Sequence, residues 1–280
     1  MNVGVESNNS SPVAVVTGSS SGIGRAIALG FAADGCHVVL HGRKPSEQLD
    51  AVEKELFDAH PNGMACRVEK IFADFSEPTD WQQLVDQAWR KIGPVDYWIN
   101  NAGGDVLTDP WADRSIEQKL DYLWRTDVTA SLMLSRLVGR RMIEDRNAAS
   151  SGEGNRLGAV AGSIVNIGWD QADHGMEGDS GELFATTKGA IMSMTKSLAQ
   201  SLSPNVRVNC LAPGWIKTQW GEQASDYWDQ RAANESLMNR WGTPQDIAKA
   251  AAFLCTEGAS FISGQIIPLN GGFRYGDQAN

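Results

Sequence analysis

The chain has 280 residues, 42% of them hydrophobic and 21% charged, which suits one soluble domain with a large core. A formal net charge of −10 opposes binding to nucleic acid or to an anionic membrane surface, so an anionic ligand needs locally placed cations. No apolar run reaches membrane-spanning length, no metal-ligating pattern stands out, and the four cysteines are far apart, as reduced thiols of a cytoplasmic protein are.

Residues 1–11 are polar and read as a disordered tail, and residues 12–280 as a single domain. Val13–Val16 is a short apolar run typical of a buried strand. Gly18, Gly22 and Gly24 follow at once, and Ile23, Ile27 and Phe31 then recur at helical spacing. A strand that turns directly into a helix leaves the helix's first N–H groups unpaired and pointing outward. The helix dipole adds partial positive charge there, so the turn can hold a pyrophosphate, and glycines let the phosphate reach the backbone. The plainer alternative is an ordinary strand–helix connection.

A second buried strand covers residues 37–41 and ends in His41-Gly42-Arg43-Lys44, with no acidic residue. In a dinucleotide fold an acid at this place bonds the ribose 2′-OH of NAD, whereas an arginine accommodates the 2′-phosphate of NADP. Arg43 therefore favours NADP(H) over NAD, the alternative being a solvated Arg-Lys turn. Further strands are expected at Val68–Phe72, 94–99, 163–167, 206–211 and Ile266–Leu269. Helices are expected at 47–60, 79–92, 184–202 and 244–254, with a long, broken helical region over 114–141. Residues 145–161, rich in Gly, Ser, Ala and Asn, read as a flexible surface insertion, and 219–242 as a long excursion carrying Trp220, Tyr227, Trp228 and Trp241. Strands alternating with helices give a doubly wound parallel α/β sheet of Rossmann type, with ligands gathered at the strands' carboxyl ends.

With these pieces in order, the chain resembles the short-chain dehydrogenase/reductase family over about residues 12–272, and within it the 3-oxoacyl-[acyl-carrier-protein] reductase-like members. The resemblance is carried by Thr17-Gly18-x-x-x-Gly22-Ile23-Gly24, Asp74, Asn100-Asn101-Ala102-Gly103, Lys188, Pro213-Gly214-Trp215-Ile216-Lys217-Thr218 and Asn270-Gly271-Gly272. It implies that Gly18, Ser20, Ser21, Gly22, Ile23 and Gly24 cradle the pyrophosphate and that Asp74 and Phe75 flank the adenine. By the same resemblance Asn101, Ala102 and Gly103 lie along the ribose, and Pro213, Gly214, Ile216 and Thr218 hold the nicotinamide. Lys188 would bond the nicotinamide ribose. A homo-oligomer, dimer or tetramer, is implied as well.

The catalytic positions depart from the family pattern. The expected Tyr-x-x-x-Lys reads Phe184-Ala185-Thr186-Thr187-Lys188, and a phenyl ring has no proton to give. Trp169 stands where the family's serine ends a strand, and Asp127 aligns with the usual helical asparagine. Losing a general acid costs about 10²–10⁴ in rate, while cofactor contacts survive. Among the loop residues 170–182, His174 can serve as an acid near neutral pH, or these polar groups are solvated loop charges. Lys188, Asp127 and His174 are thus the candidate catalytic residues. Trp169, Phe184, Trp215 and Trp220 are candidates to line a pocket for a small planar substrate, or else are core. Two functions follow: an NADP(H)-dependent oxidoreductase acting on a carbonyl/alcohol or conjugated C=N/C=C group with a non-standard proton donor, or a catalytically inactive dinucleotide-binding sensor or scaffold.

Overall fold

Val13 and Val15 face one side of β1 (Val13–Val16) while Ala14 and Val16 face the other, and both sides are buried. The same alternation recurs in β2 (His37–Gly42), where Val39 faces one side and Val38 and Leu40 the other. A strand that is apolar on both faces needs cover on both, and the chain supplies it. The computed structural model describes residues 11–62, 65–150, 162–222 and 224–274. β3 (Val68–Phe72), β4 (Tyr97–Asn100), β5 (Gly162–Ile167), β6 (Val206–Pro213) and β7 (Ile266–Leu269) complete a seven-stranded sheet in the order β3-β2-β1-β4-β5-β6-β7. Every neighbouring pair is parallel.

Helices α1 (Gly22–Ala33), α2 (Glu47–Ala59) and α10 (Pro244–Cys255) cover one face through Ile27, Phe31, Leu49, Leu56, Ile247 and Leu254. Helices α3 (Pro78–Ile92), α5 (Ala130–Ser150) and α7 (Gly178–Leu202) cover the other through Trp81, Leu84, Leu134, Val138, Leu198 and Leu202. All four cysteines are buried and free. No described helix is long and apolar enough to cross a membrane.

Several sequence expectations are corrected. The 114–141 region divides into α4 (Ile116–Leu123), one π-helical turn (Trp124–Thr129) and α5, which runs on to Ser150. Residues 145–150 of the expected flexible insertion are therefore helical, and 151–161 lie outside the described residues, as do 1–10 of the expected tail. The expected loop 170–182 contains α6 (Gln171–His174) and the first turn of α7, so Asp179 and Glu182 are helical. The 219–242 excursion holds α8 (Gln219–Glu222) and α9 (Asp226–Glu235).

Candidate active site

The switch point of the sheet falls between β1 and β4, and the loops after both strands open into a groove of about 590 Å³. Gly18, Ser20, Ser21, Gly22, Ile23 and Gly24 form one wall, and Arg43, Asp74 and Phe75 the far end. Asn101, Ala102 and Gly103 complete it. Ser21 precedes α1 without a side-chain cap, so the helix's first N–H groups stay available to an anion. A Cβ on Gly24 would overlap the Gly18 carbonyl oxygen and the Asn101 amide, so glycine is required where the turn meets β4. This close-backed turn fits a dinucleotide pyrophosphate.

His41 fixes the turn from behind. Its Nδ1 accepts the Gly18 N–H at 3.0 Å, its Nε2 donates to the Ala73 carbonyl at 3.1 Å, and its ring stacks on Phe75 with centroids 4.6 Å apart. Full burial holds the imidazole neutral, with its pKa pushed down to about 4. At the groove's far end Trp111 stacks on Tyr122 at 4.2 Å. Burial pushes the Tyr122 phenol up, against the pull of the Arg43 positive charge.

A second cavity, of about 370 Å³, adjoins the groove beside the ends of β5 and β6. It brings together Trp169, Phe184, Lys188, Pro213, Gly214, Trp215, Ile216 and Thr218, all named from the sequence. Trp169 and Phe184 meet edge to face with centroids 6.3 Å apart. Lys188 Nζ lies 2.9 Å from Asp127 Oδ2. The π turn points Asp127 inward, where it is 1% exposed, and its Oδ1 accepts from the Gly104 N–H at 2.7 Å and from Thr126 Oγ1 at 2.9 Å. Gly103 lies against this pair, since a Cβ there would come within 2.8 Å of Asp127 Oδ2. Lys188 is the one ionisable side chain among the described residues lining the cavity.

His174 lines neither the groove nor this cavity. It stacks on Phe273 with centroids 4.0 Å apart, so the structure does not bring it together with the other site residues named from the sequence. The Trp220 side chain lies outside the described residues. The lining residues Leu107, Met176, Ser180, Trp228 and Trp241 were not named for the pocket from the sequence. Trp228 and Trp241 arrive from the 219–242 excursion, whose path no local pattern fixes; Ser180 was detectable as one turn before Phe184. α9 is fastened over the cavity by Arg231, which pairs with Glu177 at 2.6 Å and with Glu235 at 2.7 Å. Glu235 also accepts from Trp215 Nε1 at 2.6 Å.

Away from this end of the sheet, His37, His60 and Cys66 cluster within 4.8 Å. Both imidazoles accept a backbone N–H at Nδ1, from Arg67 and Asn62, which places their protons on Nε2 and leaves no lone pair there for a metal.

A family model described as enoyl-(acyl carrier protein) reductase matches residues 18–274. The chain is 31% identical to tropinone reductase-like 3 of Erythroxylum coca over 263 residues, 93% of this chain and 92% of that one. It is also 31% identical to the 3-oxoacyl-[acyl-carrier-protein] reductase FabG of Escherichia coli (strain K12), over 93% and 96% of the two chains. A solved 3-oxoacyl (acyl-carrier-protein) reductase from Agrobacterium tumefaciens C58, with NADP bound, superposes with a TM-score of 0.77 at 28% identity, covering 93% of each chain. The fold, the glycine turn and these likenesses define a nicotinamide-dinucleotide oxidoreductase class. The chain belongs to the short-chain dehydrogenase/reductase family.

Proposed function

We propose that the protein is an NADP(H)-dependent oxidoreductase of a small planar substrate, with Lys188 in place of the usual tyrosine as proton donor. One observation carries the reading: Lys188 is the sole ionisable side chain lining the cavity among the described residues. A bound NADPH supplies a hydride to the substrate's carbonyl or imine carbon. The double-bond electrons move onto the oxygen or nitrogen, which takes a proton from Lys188 Nζ, and the amine regains one from solvent. Asp127 holds the ammonium in place. Arg43 receives the 2′-phosphate, the glycine turn the pyrophosphate, and Trp169, Phe184 and Trp215 the flat faces of the substrate. A C=N or conjugated bond demands less of the absent phenol than a ketone does. The same reading takes the protein as a cytoplasmic homo-oligomer, dimer or tetramer, which light scattering tests.

NADPH oxidation followed at 340 nm (the nicotinamide band) against ketones, imines and quinones is the direct test. Turnover that disappears in Lys188→Met supports the reading, and turnover that persists overturns the role of Lys188. A second reading, a dinucleotide-binding sensor without turnover, is favoured by one specific observation. Trp169 and Phe184, which the resemblance aligns with the family's serine and tyrosine, meet edge to face, and neither ring offers a titratable proton. Saturable NADPH binding with no oxidation across the panel selects it.

A further inference from the structure

Apart from the indole N–H groups of its tryptophans, four polar side chains line the cavity: Asn101, Ser180, Lys188 and Thr218. Three are accounted for. Asn101 Nδ2 donates to the carbonyls of Thr17 and Gly18 at 2.9 and 3.1 Å, so it braces the glycine turn. Lys188 is held by Asp127. Thr218 lines the dinucleotide groove as well, and its methyl lies 3.5 Å from where a side chain on Gly22 would project. Ser180 differs. It lines the cavity but not the groove, is half-buried, and makes no side-chain hydrogen bond with a described residue.

Ser180, Phe184 and Lys188 succeed one another at four-residue steps along α7, so they share one face of the helix. A rise of 1.5 Å per residue puts each step about 6 Å from the next. Lys188 is therefore about 12 Å from Ser180 along the axis, with the Phe184 ring between them. The rest of the wall includes Trp169, Met176, Trp215, Trp228 and Trp241, so a substrate with a second polar group has few partners for it. A hydroxyl can both donate and accept.

We infer that Ser180 anchors the distal polar group of a planar aromatic substrate, one that carries its reducible bond at the Lys188 end and a hydroxyl or carbonyl oxygen at the other. This rests on the oxidoreductase reading above and adds the substrate's shape and polarity to it. Ser180 is a specificity-determining residue; it takes no part in proton transfer.

The test uses acetophenone, which has one oxygen, and 4-hydroxyacetophenone, which has a second at the opposite end of the ring. Both are titrated calorimetrically into the full-length protein with NADP⁺ present, so that no hydride is available. One neutral hydrogen bond predicts that wild type prefers 4-hydroxyacetophenone by about three- to tenfold. Ser180→Ala should erase the preference by weakening that ligand alone, and Ser180→Thr should keep it. A merely structural role would weaken both ligands together. The inference is overturned if the preference is absent in wild type, if it survives in Ser180→Ala, or if neither ketone binds. NADP⁺ titrated alone separates the two failures, because it reports on the cofactor groove and not on Ser180.

Discussion

Lys188 Nζ and Asp127 Oδ2 form a 2.9 Å ion pair beneath Gly103, at the junction of the dinucleotide groove and the aromatic cavity. The Asp127 side chain is 1% exposed and that of Lys188 15%, so each charge depends on the other for its solvation. Removing one member leaves a buried charge uncompensated, at a cost of about 3–5 kcal/mol. Lys188→Met should accordingly destabilise the fold by roughly this amount, and Asp127→Asn added to it should recover part of the loss. Urea denaturation of the two singles and the double measures this. Additive losses would mean that the pair is not coupled.

Phe184→Tyr alone should not give ordinary ketone reduction, because the Trp169 indole stands edge to face against that ring and fills the space beside it. The double change Phe184→Tyr with Trp169→Ser should raise kcat/KM for a simple ketone by about 10²–10⁴ over wild type. Brisk turnover in the single variant would show that Trp169 is no obstruction.

Arg43 lines the groove and has no acidic neighbour in the turn after β2, and in the proposed reading it meets the 2′-phosphate. Arg43→Ala should weaken NADPH binding by about 10- to 100-fold, the range of a charged hydrogen-bonded contact, and leave NADH nearly unchanged. Titration of both cofactors checks it, and equal losses would move the 2′-phosphate elsewhere.

Asp170 gives the fold a pH signature. It is 2% exposed, one oxygen accepts from Asn270 Nδ2 at 3.0 Å and the other has no partner among the described residues. Burial pushes its pKa up to about 6 from an ordinary 3.8. The native state therefore holds the proton more tightly than the unfolded chain. The stability this contributes is full below pH 3.8 and is lost as pH rises through 6. His41 works in the opposite sense: its pKa of about 4 lies below the ordinary 6.5, so its contribution is full above 6.5 and lost as pH falls towards 4. Asp170→Asn removes only the first effect. The variant should match wild type near pH 4 and exceed it by about 2–3 kcal/mol at pH 8. A constant difference at all pH values would contradict the raised pKa.

The strands were legible because β-branched runs such as Val13–Val16 bury both faces, and the glycine turn because its chemistry is local. The start of α7 was not. Gly178-Asp179-Ser180-Gly181 is poor helix-forming sequence, and the turn forms with Gly181 packed on the Met176 backbone and Glu177 held by Arg231 from α9. The π turn that aims Asp127 at Lys188 has no sequence signature, although both residues were named singly. The position of His174 was not legible for a related reason: its polar loop forms α6, which sets the ring against Phe273.

The most direct measurement of the central claim is a calorimetric titration of the wild-type protein with NADPH and, separately, NADH. The proposed reading, a pyrophosphate turn beside a rebuilt proton site, predicts saturable binding of one dinucleotide per chain, tighter for NADPH. Absence of saturable heat with either cofactor would contradict it.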